Sequence, residues 1–218
     1  MNTLPPAVLI TSGPTREYLD PVRFLSNASS GKMGAALAEA VLEEGFRVFV
    51  VSGPVTIEYP SAAIVRFVET TEQMLDACLE LFPLCMGVVS AAAPCDYRPV
   101  RYSQTKLSKT DDGLSVAFQS TPDILAALGR QKRPDQWSVG FALETDCGRE
   151  RAQAKLRRKN CDFICLNQPC AINADVSTIE ILNQDSSLGH FTASKKDLAR
   201  VIIDAACRLK NNWVLPVN

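Results

Sequence analysis

The sequence predicts an α/β fold in which a mostly parallel central sheet is covered by helices on both faces. Short apolar, β-branched runs alternate with amphipathic helical patterns along the chain. Runs such as VFVV (48–51) and GVVSA (87–91) lack period-two alternation, as expected of strands buried on both sides. With 218 residues, 46% of them hydrophobic, the chain is long enough for one good-sized core and short for two, so residues 1–218 are expected to form a single domain.

The first strand is read at Ala7–Thr11. After a polar stretch comes the helix KMGAALAEAVLEEG (32–45), where Met33, Leu37, Val41 and Leu42 recur at helical spacing and Gly45 is the stop signal. Strands are expected in RVFVVSG (47–53) and IVRFVET (64–70), a helix over about 71–81, and a strand in GVVSAAA (87–93). The second half continues with a strand in LSVAFQS (114–120), a helix over about 122–132, the strand WSVGFALET (137–145) and a helix over about 149–160. DFICLN (162–167) and STIEILN (177–183) are strands, a last helix covers about 195–210, and 211–218 is a short tail. The outcome is a Rossmann-like, three-layer arrangement. Ligands of such sheets lie beyond the carboxyl ends of the strands, where Ser12, Ser52, Ala91 to Asp96 and the FALET tail would emerge.

Two stretches break the pattern, 94–112 and the less regular 168–176. Irregular segments longer than about a dozen residues tend to be functional or mobile. The first carries Asp96, Arg98, Arg101, Lys106 and Lys109, and reads as a basic flap over a cleft, a surface excursion or a dimer arm.

Composition removes several function classes. Lysine plus arginine number 23 against 24 acidic residues, a net charge of -1, so no global field points to nucleic acid or an anionic membrane. The N-terminus lacks a basic-then-apolar leader and no apolar run approaches the roughly 20 residues of a membrane span, so the expected compartment is cytoplasmic. The eight cysteines, Cys78, Cys85, Cys95, Cys147, Cys161, Cys165, Cys170 and Cys207, include no C-x-x-C pair, and His190 is the only histidine. No metal-ligand set and no histidine triad is expected from them, and Cys165, inside FICL, reads as a buried, inert thiol.

The most informative stretch is FLSNASSGKMG (24–34), a polar small-residue loop running into a helix. A helix start exposes unpaired N–H groups and the positive end of its dipole, and Ser29, Ser30 and Lys32 add hydroxyls and a charge, a combination suited to phosphate or carboxylate. The plain alternative is an N-cap, with Ser or Asn satisfying one N–H. Two named phosphate motifs fail here. A P-loop needs glycine and then Ser or Thr where this chain has Ser26 and Met33, and the dinucleotide fingerprint needs three closely spaced glycines where SGPTREYLDPVRF offers Gly13 alone. A second basic feature is ERAQAKLRRKN (150–160), which puts Lys155 and Lys159 on one helix face with Arg151 a turn earlier, either a solvated stripe or a phosphate grip.

ITSGPTREYLDPVRFLSNASSGKMG, SAAAPCDYRP, TKLSK, TPDILAALG, VGFALET and KLRRKNCDFICLN together resemble, in order, the motifs of phosphopantothenate-cysteine ligase (phosphopantothenoylcysteine synthetase), and they span roughly residues 9 to 167. The basic helix ending in R-K-N is similar to the bacterial, CTP-using type. The resemblance implies that 4′-phosphopantothenate and L-cysteine are joined through an acyl-cytidylate intermediate, with CTP as co-substrate, Mg²⁺ accompanying the triphosphate, and release of pyrophosphate and CMP. It implies catalytic roles for Asn27 and Lys106, with Asn27 holding the substrate carboxylate and then the activated acyl group, and Ser29, Ser30, Gly31 and Lys32 completing the substrate loop. Nucleotide-binding positions carried over are Ala91, Ala92, Ala93, Asp96, Lys106, Pro122, Asp123, Ile124, Leu125, Phe141, Lys155 and Lys159. A homodimer whose flap reaches the neighbouring subunit is also implied. So is a separate phosphopantothenoylcysteine decarboxylase as a partner, because many relatives carry that flavin enzyme fused ahead of this domain; no flavin is expected here.

The chain departs from the family pattern at Ala28, where Arg is common and a cation beside Asn27 is lost, and at Pro14, Leu143 and the K-L-S-K of the flap. Two rival readings are a short-chain NAD(P)-dependent reductase, from Tyr102 and Lys106 in Y-x-x-x-K spacing with Ser90 upstream, and a nucleotide-binding protein without catalysis. The first requires the Tyr and Lys on a helix, which Pro94, Pro99, Ser103 and Thr105 disfavour.

Overall fold

Ala7–Ser12 (β1) is buried along its whole length and is an interior strand of an eight-stranded sheet. A computed structural model describes residues 4–109, 111, 113–143, 148–167 and 176–209. The expected tail, residues 168–175, Cys147, Cys170, and Glu144 and Thr145 of FALET lie outside the described residues. Parallel to β1 run Arg47–Ser52 (β4) on one side and Gly87–Ser90 (β6) on the other. Ile64–Phe67 (β5) extends the sheet beyond β4. Trp137–Leu143 (β9) and Phe163–Asn167 (β10) extend it beyond β6, also in parallel. Val176–Leu182 (β11) and Ser187–Ser194 (β12) then close that edge antiparallel. The order of the six parallel strands, β5-β4-β1-β6-β9-β10, is that of a doubly wound dinucleotide-type sheet, with its direction of winding reversing between β1 and β6.

Helices make up the outer layers. Lys32–Glu43 (α1) and Lys195–Arg208 (α5) cover one face, where Leu37 and Val41 of α1 and Leu198, Ile202 and Ile203 of α5 pack on Val8, Ile10, Val50 and Ile179. Thr71–Leu81 (α2), Ile124–Gln131 (α3) and Gly148–Arg158 (α4) cover the other through Met74, Leu128 and Leu156 on Leu9, Val51, Val88 and Ile164. Each such buried aliphatic contributes about 1.5–3 kcal/mol. The three-layer expectation and the helix positions therefore hold.

Two small ribbons and a final strand were not expected. Arg16–Tyr18 (β2) and Phe24–Ser26 (β3) form a small antiparallel ribbon between β1 and α1. Tyr97–Pro99 (β7) pairs with Phe118–Ser120 (β8) in a second ribbon, so LSVAFQS is not a strand of the central sheet. The reason is burial: all three residues of β8 are exposed, and no layer covers them. The flap is thus a ribbon arm whose paired strands begin at Tyr97 and end at Ser120, beyond the expected end at 112. The strand β12, holding His190, was missed because SLGHFTAS carries Gly189 and alternates only weakly. No described helix is long and apolar enough to cross a membrane.

Candidate functional site

The loop that leads into α1 is built on glycine. Gly31 is the N-cap of α1, with φ of 77°, and no side chain caps that helix. The Ser or Asn cap is therefore not realised; the nearest approach is a 3.5 Å contact from the Lys32 N–H to Ser30 Oγ. A Cβ on Gly34 would stand 2.0 Å from Ser12 Oγ, so only glycine lets α1 start this close to the end of β1. Ser12 donates to the Gly31 carbonyl at 3.3 Å and accepts from Tyr59 Oη at 2.8 Å, and Tyr59 Oη is 2.7 Å from Ser52 Oγ. Ser12 and Ser52, expected at the strand ends, lie buried beneath the loop and support it.

At the end of β6 the three alanines pass close to β1. The N–H groups of Ala91 and Ala93 donate to Thr11 and Gly13 carbonyls at 3.2 and 2.9 Å, and that of Ala92 to Thr11 Oγ1 at 3.2 Å. Asn27 ties the two loops together, its Nδ2 donating to the Ala93 and Pro94 carbonyls at 3.2 and 2.9 Å. The Thr121 N–H donates to the Asp96 carbonyl at 3.0 Å, which fixes the entry to α3. Asp123 caps α3 by accepting from the Ala126 N–H at 3.1 Å, and its other partners are Lys159 at 3.1 Å and Arg158 at 3.8 Å. Helix α4 ends in Lys155, Arg157 and Arg158, cations that suit the negative end of its dipole.

These parts enclose one cleft of about 590 Å³ at the carboxyl ends of β1, β6, β9 and β10. Asn27, Ser29, Ser30 and Gly31 line it, as do Ala91, Ala92, Ala93 and Asp96. Pro122, Asp123, Ile124, Leu125, Phe141, Lys155 and Lys159 line it as well. Sequence reading missed Arg158, Asn167, Ser177 and Lys195, which also face it. Arg158 and Asn167 lie inside KLRRKNCDFICLN without an expected role, while strand register brings in Ser177 and the return of α5 brings in Lys195. Among the described lining residues, Lys155, Arg158, Lys159 and Lys195 outnumber the carboxylates Asp96 and Asp123, so the cleft favours anions.

Two expected residues stand apart. Lys32 is exposed on the first turn of α1 and does not line the cleft. Lys106 lies in a separate hollow with Arg23, Leu107, Ser108 and Lys109. The cause is the buried Asp20, which accepts from the Leu107 N–H at 3.1 Å while Arg23 donates to the Leu107 carbonyl, so the arm is clipped to the β2–β3 ribbon. Tyr102 and Lys106 sit in irregular chain, so the helical Tyr/Lys pair of a short-chain reductase does not form. Burial pushes the thiols of Cys78, Cys85 and Cys161 up to about 12 and that of Cys207 to about 11, and raises Cys95 and Cys165, which makes them poor nucleophiles at neutral pH.

Residues 5–209 match the family described as the DNA/pantothenate metabolism flavoprotein C-terminal domain. A cysteine/cysteine sulfinic acid decarboxylase from an unknown prokaryotic organism is 39% identical over 194 residues, covering 87% of this chain and 54% of its own. The coenzyme A biosynthesis bifunctional protein CoaBC of Haemophilus influenzae is 36% identical over 200 residues, covering 90% of this chain and 50% of its own. The chain thus spans about half the length of these curated relatives. The crystal structure of the C-terminal domain of a CoaBC protein superposes with a TM-score of 0.80 at 34% identity, covering 97% of this chain and all of that one.

Proposed function

The chain belongs to the DNA/pantothenate metabolism flavoprotein C-terminal domain family, and from that premise we propose that it is a cytoplasmic phosphopantothenate-cysteine ligase of coenzyme A biosynthesis that uses CTP. The observation that carries the reading is the cleft at the winding reversal of the sheet, with a basic wall from α4 on one side and the Asn27 loop on the other.

The reaction has two steps. The carboxylate of 4′-phosphopantothenate attacks the α-phosphorus of CTP, and pyrophosphate leaves. The amine of L-cysteine then attacks the acyl carbon; a C–N bond forms, the C–O bond to CMP breaks with its electron pair on CMP, and the amine proton goes to water. No side-chain nucleophile is needed, which fits thiols raised by burial. Lys155 and Lys159 spread the triphosphate charge and stabilise the departing pyrophosphate, with Asp123 releasing Lys159 when phosphate competes for it. The small side chains of Ala91, Ala92 and Ala93 let the nucleotide approach the backbone. Asn27 exchanges its bonds to Ala93 and Pro94 for the substrate carboxylate, and alignment of the reactants supplies on the order of 7–11 kcal/mol.

The described residues hold no group of three or more His, Cys, Asp or Glu side chains suited to a metal. Mg²⁺ on this reading travels with the triphosphate, whose oxygens and water supply its ligands, and no step above passes through it. The exposed apolar residues of the two ribbons, Val22, Phe24, Tyr97, Val100, Tyr102 and Phe118, support a homodimer in which the arm carries Lys106 to the neighbouring cleft. The product is then consumed by a separate decarboxylase.

The deciding experiment is pyrophosphate release, with CTP compared against ATP. Release should require nucleotide and 4′-phosphopantothenate together, and CTP should be the better substrate. Nucleotide binding without release would return the protein to a non-catalytic binder, and equal use of ATP would overturn the CTP assignment.

A further inference from the structure

Behind the cleft wall, three hydroxyls meet at the ends of two neighbouring strands. Ser12 and Ser52 are the last residues of β1 and β4, are paired in register, and are fully buried. Tyr59, in the irregular chain after β4, packs against the α1/α5 core and sets its hydroxyl between them. The bonds have a direction. The Gly31 carbonyl can only accept, so the single hydroxyl proton of Ser12 goes to it at 3.3 Å. Tyr59 therefore donates to Ser12 at 2.8 Å, and its oxygen is left to accept from Ser52 at 2.7 Å. Ser52 has a second acceptor, the Gly53 carbonyl at 2.8 Å, so its proton is shared between the two. Hydrogen bonds that run in one direction strengthen one another.

This relay ends on a residue that lines the cleft. Gly31 is the N-cap of α1 with φ of 77°, and without a Cβ its peptide has little of its own to hold it. Restraint comes from outside. Its carbonyl accepts from the Ala35 N–H at 3.1 Å as well as from Ser12, which occupies both lone pairs. A Cβ at Gly31 would stand 2.9 Å from Val55 Cγ1 and 3.3 Å from Ile57 Cδ1, so the segment that carries Tyr59 also packs against the glycine. The peptide is planar, so fixing its carbonyl fixes the N–H on Lys32, which faces Ser30 Oγ at 3.5 Å. Turning that peptide would redirect the helix start beside Ser29, Ser30 and Asn27, the part of the cleft that a carboxylate or phosphate would meet.

We propose that Tyr59 is a positioning residue for the acid substrate: acting through Ser12, it holds the Gly31 peptide, and with it the start of α1, in the orientation that receives the substrate's oxyanion. The inference rests on the ligase reading and deepens it. Tyr59 lies outside every motif that carries the family resemblance, because residues 35–89 contain none of them. It does not itself line the cleft, so its effect passes through its neighbours. The basic wall of α4 packs on the opposite face of the sheet, which leaves its grip on the nucleotide independent of the relay.

The test is Tyr59→Phe, which keeps the ring and removes only the hydroxyl. The KM for 4′-phosphopantothenate should rise about five- to tenfold, the scale of one hydrogen bond. The KM values for CTP and L-cysteine should stay unchanged, and the melting temperature should fall by only a few degrees. Ser12→Ala should raise the same KM to a similar degree, and adding Tyr59→Phe to it should change nothing further, because the route to Gly31 is already cut. An unchanged KM for 4′-phosphopantothenate in Tyr59→Phe overturns the proposal. Independent, multiplying losses in the double variant overturn it too, as does an equal rise for all three substrates, which would make Tyr59 a general support of the fold. Each of these results leaves the ligase reading standing. A wild-type protein that releases no pyrophosphate from CTP and 4′-phosphopantothenate ends that reading, and the positioning role falls with it.

Discussion

Asn27 is a brace in the structure, and the proposed reaction asks it to be a reagent as well. Its carboxamide spans from the loop before α1 to the alanine loop through two donated hydrogen bonds, and it is exposed to the cleft rather than locked in the core. Asn27→Ala should therefore cost little stability, about 1 kcal/mol for each lost bond, yet reduce amide formation about a hundredfold, as removal of a donor near a reacting centre does. The measurement is the rate of product formation beside CTP affinity; equal losses in both would make Asn27 a brace only. Residues of this kind were legible in the sequence because they occur in compact motifs. The placement of Ser177 and Lys195 beside Asn167 was not, because what unites them is the Asn167–Ile179 register and the antiparallel return into α5, which no local spacing encodes.

The arm between β7 and β8 is governed by one buried carboxylate. Burial would push Asp20 up, but hydrogen bonds from Val22 N–H, the Arg23 guanidinium and Leu107 N–H outweigh it and hold the carboxyl well below its ordinary 3.8. The folded chain thus takes up this proton at lower pH than the unfolded one, so the clip is at full strength above 3.8 and weakens as pH falls through the depressed folded value. Asp20→Asn should speed hydrogen exchange at the Leu107 amide at neutral pH and lower the melting temperature, while an unchanged exchange rate would show that other contacts hold the arm. The helices and central strands were legible because apolar periodicity reports burial directly. The two ribbons were not, since strands of three residues carry too little pattern and β8 has no buried face.

Across the whole molecule the cleft is a consequence of winding. Reversal between β1 and β6 leaves the strand ends uncovered by helices at that point, and the α1 loop and α4 terminus fill the two flanks. Lys106 remains clipped away from this cleft within a single chain, and the apolar side chains of both ribbons face outward. Sedimentation at micromolar concentration should accordingly give a dimer, and replacing Phe118 and Tyr97 with polar residues should shift it toward monomer with a loss of activity; a wild-type protein that sediments only as monomer would leave the arm without a second cleft to serve.

The chain by itself determined the layered α/β class, the order of helices and central strands, and the motif-borne wall of the cleft, because amphipathic period and short motifs are local properties written in consecutive residues. Tertiary structure alone decided that LSVAFQS leaves the sheet, that Lys106 stands apart from Asn27, and that Asn167, Ser177 and Lys195 share a corner. Those outcomes depend on strand register, helix return and the bond from the Leu107 N–H to the buried Asp20, each a contact between residues distant in sequence, and it is the burial free energy of the assembled core that selects among them.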